Sequence, residues 1–280
     1  MGNLLKPKND LIFKRIFGAD ENIDILTGFL KSILRLPAAE YSEVALCDPN
    51  LRYDREDDKI GILDLKVKTT SGKIIDVEIQ LRIVPQFRER IMFYTSKMFA
   101  EQINYGEEYE VIKQVIQILI VDGQFFAENN GYHHRFTLYD PNSQLEFTDF
   151  LEVHTLELPK LPENADGSNL WNWLKLLNSE KEEDFNMLAQ TSPQMDKAVT
   201  IVKRLSADEQ FRYECEQAEK RRRDYMVIMN TAIREGEARG RAEGALQEKL
   251  LIAKSLLAIN LPLDQIAKTT GLTSSQIEAL

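Results

Sequence analysis

The segment from residue 62 to residue 82 constrains the fold more than any other part of this chain. It contains two stretches in which apolar and polar residues alternate, separated by Thr70, Ser71 and Gly72. Such alternation is typical of strands that bury one face, and the glycine supplies the backbone freedom that a tight turn needs. The segment therefore predicts a β-hairpin.

Centring the hairpin on Ser71 sets the pairing of its two strands. The pairs on one face are then wholly apolar, namely Leu63 with Ile79, Leu65 with Val77, and Val67 with Ile75. The pairs on the other face are Asp64 with Glu78, Lys66 with Asp76, and Ile62 with Gln80. A shift by one residue would mix the two faces, so the burial pattern itself supports this register.

Asp64 and Glu78 are the informative pair on the polar face. Like charges directly opposite each other destabilise a hairpin, whereas Lys66 and Asp76 are expected to form a favourable ion pair. A divalent cation bound between the two carboxylates would remove this repulsion. Mg²⁺ suits such a site, because it binds one or two carboxylates together with waters and phosphates. The alternative is two solvated carboxylates on an open sheet face, and their spacing alone does not decide between the two.

The hairpin and its surroundings resemble the PD-(D/E)XK nuclease superfamily. Its arrangement is an Asp, a hairpin and then Glu-x-Lys, and here Asp64 and Glu78 are followed by Gln80 in the lysine position. The flanking segments strengthen this short motif: KPKNDLIFKRIFG upstream, and RERIMFYTSKMFAEQINYGEEY, VIQILIVD and LEVHTLELPKL downstream. In this order the segments resemble the bacterial family of recombination-promoting nucleases and transposases, over nearly the whole chain.

The resemblance implies a metal-dependent DNA endonuclease linked to recombination, mobile elements or phage defence. Asp64 and Glu78 would be ligands of Mg²⁺ or another divalent cation, with Gln80 beside them. Because Gln has no titrating group, the cation would have to lower the pKa of its bound water, or a lysine from elsewhere would assist. Lys66 is the candidate for that catalytic role, and its simpler role is that of partner to Asp76.

The order of the predicted elements indicates an α/β fold. Two amphipathic helices precede the hairpin, and a helix from Arg88 to Tyr105 follows it. The nearly continuous apolar run from Val111 to Val121 is typical of a strand buried on both faces. Together with the resemblance, this predicts a restriction-endonuclease-like core, with a central mixed sheet flanked by helices, and a helical C-terminal extension.

We expect three parts in the chain. They are a nuclease domain at residues 1–160, a helical region at 161–233, and a Gly-spaced helix with a two-helix tail at 234–280. At 280 residues and 43% apolar composition, the chain is long enough to bury a full core in the first part.

The net charge of −10 argues against a surface coated with DNA-binding residues, because phosphate neutralisation dominates affinity for DNA. The acidity is uneven, since residues 1–100 hold 16 Lys and Arg against 15 Asp and Glu. Arg82, Arg88 and Arg90 follow the motif closely and are candidates for DNA contact. The alternative for these arginines is a solvated helix face.

The C-terminal extension carries Gly236, Gly240 and Gly244 at four-residue spacing within a charged, helix-forming segment. Each glycine costs a helix roughly 1 kcal/mol relative to alanine, so the stripe favours close approach by a second helix over a flexible linker. With the apolar segment at residues 250–261, it predicts a homo-oligomer held through the C-terminal helices.

The last twenty residues, LPLDQIAKTTGLTSSQIEAL, predict two short helices around Gly271, the second capped by Thr273 or Ser274. DNA-reading helix-turn-helix motifs share this shape. The second helix lacks Lys and Arg, so contact with protein is favoured over contact with DNA.

Several negative signals narrow the setting. The chain has no run of about 18 apolar residues and no signal peptide, so we expect a cytoplasmic protein without membrane contact. Cys47 and Cys215 are expected to be packing residues, and the adjacent His133 and His134 lack the further ligands of a zinc site.

The competing hypothesis is a non-catalytic protein that associates with DNA or oligomerises on a nuclease scaffold, since fold does not guarantee chemistry. The intact carboxylate pair favours the enzyme.

Overall fold

A computed structural model describes residues 4–51 and 63–280. The strands in these residues are β1 (Ala45–Cys47), β2 (Leu65–Lys68), β3 (Ile74–Gln80), β4 (Val115–Val121), β5 (His133–Tyr139) and β6 (Glu146–Glu157). They form one six-stranded sheet in the order β1-β2-β3-β4-β6-β5. The pairs β3–β4 and β4–β6 are parallel and the other pairs antiparallel, so the sheet is mixed as predicted.

Helices flank this sheet and continue beyond it. They are α1 (Asp10–Phe17), α2 (Ile23–Ile33), α3 (Phe87–Ala100), α4 (Asn169–Asn178), α5 (Glu182–Ala189), α6 (Pro193–Ala207), α7 (Glu209–Ala258), α8 (Leu263–Thr270) and α9 (Ser274–Glu278). The predicted α/β class, with a helical C-terminal extension, is confirmed. None of the helices in the described part of the chain combines the length and apolar character needed to span a membrane.

The hairpin of β2 and β3 has the predicted register. Its ladder pairs Leu65 with Val77, Lys66 with Asp76, and Val67 with Ile75. The glycine of the turn, Gly72, has a φ of +89°, which lies in the left-handed region that glycine adopts without strain.

The ladder ends sooner than expected at the open end of the hairpin. Leu63 and Asp64 precede β2, and Leu63 does not face Ile79 but is buried in a cluster with Ile74 and Met98. Ile62 and its expected pairing with Gln80 lie outside the described residues.

Strand β3 separates two differently built sides of the sheet. Its core face carries Ile75, Val77 and Ile79, which are buried in a large apolar cluster shared with helices α1, α2, α4, α5 and α6. Because side chains alternate along a strand, Asp76, Glu78 and Gln80 project to the other side, called here the carboxylate face. Helix α3 packs on this second side through contacts with β4 and β6.

Two elements differ from their predicted bounds. Strand β4 begins at Val115, because Tyr109–Val111 form a short 3-10 turn. Helix α3 ends at Ala100 instead of Tyr105. Beyond it, the Gln102 side chain exchanges hydrogen bonds with the backbone of Lys113 at 2.9 and 3.0 Å, which fixes the chain in a non-helical path.

The chain divides into two compact units, up to Cys215 and from Glu216 to Leu280. In the first unit, helices α4 to α6 share the apolar core of the sheet. The predicted boundaries at residues 160 and 233 remain a prediction.

In the second unit, the tail forms the two predicted helices. Gly271 between them has a φ of +70°, and Thr273 caps α9 in a reciprocal capping box with Gln276. Ile266, Leu272 and Ile277 pack with Ala253 of α7, so part of the apolar segment at residues 250–261 is buried within the chain. The glycine stripe is open: in the part of the chain that the structure describes, a Cβ at Gly236, Gly240 or Gly244 would have no atom within 4 Å apart from its chain neighbours and the adjacent turns of its own helix backbone.

Candidate active site

The site forms where β2 begins beside the middle of β3. The Oδ2 atom of Asp64 accepts a hydrogen bond of 3.1 Å from the backbone N–H of Ile79. This bond fixes the Asp64 carboxylate against β3, next to Glu78. The fold therefore brings together the two carboxylates that the sequence singles out.

Lys14 of α1 also reaches this point, and sequence reasoning missed it. Its Nζ lies 2.8 Å from Oδ1 of Asp64 and 3.1 Å from Oδ1 of Asp10. Burial lowers the pKa of Lys14, but the hydrogen bond and negative charge of Asp64 outweigh burial and leave this pKa raised. The amine is therefore charged at neutral pH.

Close contact between α1 and β2 positions this lysine. The apolar side of α1 is buried in the core, and Gly18 caps the C-terminal end of the helix. A Cβ at Gly18 would lie 2.7 Å from the Leu65 side chain, closer than real Cβ contacts allow. Glycine at this position lets α1 approach β2 closely enough for Lys14 to meet Asp64.

Glu78 is mostly buried, with 12% of its side chain exposed. Burial, followed by the negative charge of Asp64, raises its pKa to about 7. Arg90 and Lys14 offset part of this effect, and Nη2 of Arg90 lies 3.9 Å from Oε2 of Glu78. A cation would relieve the repulsion between the two carboxylates, so their chemistry fits a hard divalent ion.

Asp76 is a third carboxylate and is fully buried. Its Oδ2 accepts a 2.6 Å hydrogen bond from Nε2 of Gln117 on β4, and its Oδ1 has no hydrogen-bond partner among the described residues. Burial, and then the charge of Glu78, raise the pKa of Asp76 well above its ordinary value. Strand alternation predicts that Asp76 and Glu78 lie on the same face of β3. It does not predict the burial of Asp76, which depends on the packing of α3 on this face.

The predicted lysine, Lys66, is engaged elsewhere. Its Nζ forms a 2.8 Å ion pair with Oε1 of Glu101, and both side chains are mostly buried. The expected ion pair with Asp76 is therefore wrong, although the two residues are partners in the ladder. Glu101 follows α3, so the hairpin pattern alone could not reveal this partner.

The three candidate arginines occupy different places. Nη2 of Arg90 donates a 3.0 Å hydrogen bond to Oε1 of Gln80, which links α3 to the carboxylates. Arg88 lies over the rings of Phe125 and Phe126, at 5.0 and 5.1 Å from their centroids. Arg82 follows β3 and is exposed.

His133 and His154 lie on the core face of the sheet, whereas His134, which pairs with Thr155, lies on the carboxylate face. Nε2 of His133 is 2.8 Å from Nδ1 of His154, whose Nε2 is 2.6 Å from Oε1 of Glu152. Across residues 4–51 and 63–280, no three His, Cys, Asp or Glu side chains lie close enough together to hold a metal ion. A cation at Asp64 and Glu78 would therefore need water or substrate oxygens as further ligands.

Comparison with known proteins identifies the family of the chain. A family model described as PD-(D/E)XK nuclease family transposase matches residues 7–232, which include Lys14, Asp64, Glu78 and Gln80. No curated protein and no solved structure matches the chain. The six-stranded mixed sheet with flanking helices is consistent with the fold of these nucleases. The chain belongs to the PD-(D/E)XK nuclease family transposases.

Proposed function

We propose that this protein is a metal-dependent DNA endonuclease that hydrolyses phosphodiester bonds at Asp64 and Glu78. The observation that carries this proposal is the pair of neighbouring carboxylates, one of them with a pKa raised to about 7 by burial and by the charge of the other. Such a pair is unfavourable without a cation and is suited to binding one.

Asp64 and Glu78 would hold Mg²⁺ or another divalent cation. When bound, the cation would supply Lewis-acid stabilisation of the phosphate and activation of the attacking water. Family membership supports this assignment, since the family is one of nucleases.

Lys14 would supply the positive charge that Gln80 lacks. Its ammonium group contacts Asp64 at 2.8 Å and is partly exposed, so it is placed to donate a hydrogen bond to a phosphate oxygen of a strand at this site. Arg90 would hold the same strand from the other side, with its guanidinium fixed by Gln80. These fixed donors would stabilise negative charge as it develops on the phosphate.

A non-catalytic role on the same scaffold is the second candidate. The observation in its favour is that Lys14 and Arg90 already compensate part of the negative charge of Asp64 and Glu78. In that case the protein would bind DNA or a partner without needing a cation.

Homo-oligomerisation through the C-terminal helices remains part of the proposal. Its support is the row of large apolar side chains that α7 exposes, including Tyr225, Val227, Ile228 and Ile233. Two copies joined in this way would present two active sites to one duplex.

The description of the family as transposases supports a role in DNA recombination or mobile elements. We propose that this role is carried out in the bacterial cytoplasm.

Incubation of the purified chain with supercoiled plasmid tests the enzymatic proposal. We expect nicked or linear DNA with Mg²⁺, no product with a chelator, and no product from Asp64→Ala. Glu108→Gln, a change to an exposed carboxylate on the segment before β4, is the matched control and should cleave like the parent. Cleavage by Asp64→Ala at the parental rate would reject the assigned site.

A further inference from the structure

A cavity of about 310 Å³ opens on the carboxylate face, between α3 and strands β4, β5 and β6. Its walls are apolar and aromatic, and they include Met92, Phe125, Phe126, Phe136 and Val153. Among the described residues, no Asp or Glu lines it, and the one charged group in the lining is Arg88. This composition suits a flat, apolar ligand that is attached to an anion.

The cavity lies close to the carboxylates in the register of the sheet. Glu78 of β3 pairs with Leu119 of β4, which pairs with Thr155 of β6, and both Leu119 and Thr155 line the cavity. Neighbouring strands are about 4.8 Å apart, so the backbone of Thr155 is roughly 10 Å from that of Glu78. Arg88 lines the cavity and Arg90 reaches Glu78 and Gln80, so the first two turns of α3 connect both places.

The floor of the cavity carries unused hydrogen-bonding capacity. Thr155 is buried, and its hydroxyl has no hydrogen-bond partner among the described residues. Buried polar groups in proteins are nearly always paired, so the unpaired hydroxyl of a residue that lines the cavity points to a missing partner.

The aromatic wall is held rigidly. Oε2 of the buried Glu157 accepts hydrogen bonds from the backbone N–H groups of Phe125, at 2.7 Å, and Phe126, at 3.3 Å. The ring centroids of Phe126 and Phe136 are 5.4 Å apart. A ligand would therefore meet a preformed surface instead of having to order one.

We propose that this cavity receives a nucleobase that has left the base stack close to the scissile phosphate. The inference rests on the proposed nuclease function and names a feature of its substrate. The ring of Phe136 would stack on the base, the Thr155 hydroxyl would bond to its polar edge, and Arg88, which lies over Phe125 and Phe126, would face the attached phosphate. Enzymes that act on nucleic acids hold extruded bases in pockets built in this way.

The test compares two duplexes that differ at one position. One carries a single unpaired 2-aminopurine, a fluorescent adenine analogue, and the other carries an abasic site there. Binding of the full chain is measured with Ca²⁺ replacing Mg²⁺ to slow cleavage. We expect the base-bearing duplex to bind about 10-fold more tightly, the size of effect typical of one stacked base, with a change in 2-aminopurine fluorescence.

Phe136→Ala should abolish this preference, and Thr155→Val should weaken it. Phe136 is 42% exposed, so its truncation leaves the core intact. The matched control is Phe147→Ala, which removes an 86% exposed aromatic side chain of β6 outside the cavity and should keep the preference.

Equal binding of the two duplexes by the parent, or a preference that survives in Phe136→Ala, would overturn the inference. A parent that prefers the base but never cleaves plasmid would instead overturn the proposed function and leave the cavity assigned. A parent that cleaves plasmid without any preference for the base would overturn only the cavity.

Discussion

The two faces of strand β3 are both buried, yet they contribute to stability in opposite ways. On the core face, Ile75, Val77 and Ile79 pack in the largest apolar cluster of the described residues. On the carboxylate face, Glu78 is mostly buried, and Asp76 is fully buried with one oxygen that has no hydrogen-bond partner among the described residues. One side stabilises the fold through removal of apolar surface from water, and the other costs stability because buried charge is expensive.

The difference between the two faces indicates which face of β3 serves function and which serves stability. A fold that needed only stability would place apolar residues on both faces of a central strand. Here the carboxylate face instead carries Glu78, which is repelled by the neighbouring Asp64. The cations Lys14 and Arg90 lie beside this pair. Substitutions on the two faces should therefore have opposite effects on stability and activity.

The largest expected effect is the loss of cleavage in Glu78→Gln. The change keeps the shape of the side chain but removes the charge that would bind a cation, so plasmid cleavage should fall by about 1,000-fold, as when a major electrostatic contact is lost. At pH 8 the same variant should melt at a higher temperature than the parent, because a buried charge is gone. Cleavage in gel assays and thermal unfolding measure the two effects.

The matching change on the core face is Ile75→Ala. Ile75 is fully buried, and its truncation should lower the free energy of unfolding by about 3 kcal/mol. Cleavage measured well below the melting temperature should stay near the parental rate. A comparable loss of activity in Ile75→Ala would show that the two faces are not separate in function.

The pH dependence of stability should also distinguish the faces. The pKa of Glu78 is about 7 in the folded chain and ordinarily 4.5, so the folded state binds more protons between these values. The stabilising contribution of the protonated group is therefore complete below pH 4.5 and is lost as the pH rises through 7. The loss is on the order of 3 kcal/mol, and the raised pKa of Asp76 acts in the same direction.

Denaturant unfolding from pH 5 to pH 8 measures this slope. Because other groups also titrate, the informative quantity is the difference between the parent and Glu78→Gln, which should grow with pH. A difference that is constant over this range would mean that Glu78 is already ionised at pH 5.

Lys14→Met should lower cleavage by roughly 10- to 100-fold, the range expected for one charge-assisted hydrogen bond. Affinity for Mg²⁺ should stay equal or rise, because the lysine no longer competes with the cation for Asp64. Lys66→Met is the matched control, since Lys66 is paired with Glu101. A larger loss of cleavage in Lys66→Met than in Lys14→Met would show that Lys66, and not Lys14, is the catalytic lysine.

The sequence predicted those parts of the fold that depend on local periodicity. Alternation predicted the pairing of Leu65 with Val77, and the apolar run predicted the buried strand β4. These two predictions succeed because strand periodicity is a property of neighbouring residues. The expected pairing of Asp64 with Glu78 is not part of the ladder, which begins at Leu65, and Asp64 instead meets β3 through the backbone N–H of Ile79.

The parts that could not be predicted come from packing between distant elements. Lys14 reaches Asp64 from α1, and Lys66 finds Glu101 at the end of α3. The burial of Asp76 likewise follows from α3 covering the carboxylate face. One clue was available, since Lys14 lies within the upstream segment that carries the family resemblance.

The smallest expected effect concerns Gln80. Gln80→Ala removes the acceptor that holds Arg90, so cleavage should fall by roughly 3- to 10-fold, less than in Lys14→Met because the arginine and its charge remain. Gln80→Lys should keep or raise activity, since it places a cation beside the carboxylates. Unchanged kinetics in Gln80→Ala would assign this side chain a structural role only.

The most direct test of the central claim is calorimetric titration of the DNA-free chain with Mg²⁺ or Mn²⁺ at pH 6.5, in buffers of different ionisation enthalpy. If Asp64 and Glu78 hold the cation, binding should release a proton, because Glu78 is largely protonated below its pKa of about 7. The release should diminish at pH 8.5, and Glu78→Gln and Asp64→Ala should bind far more weakly. No binding by the parent, or equal binding by the two variants, would contradict the assignment of a cation to this carboxylate pair.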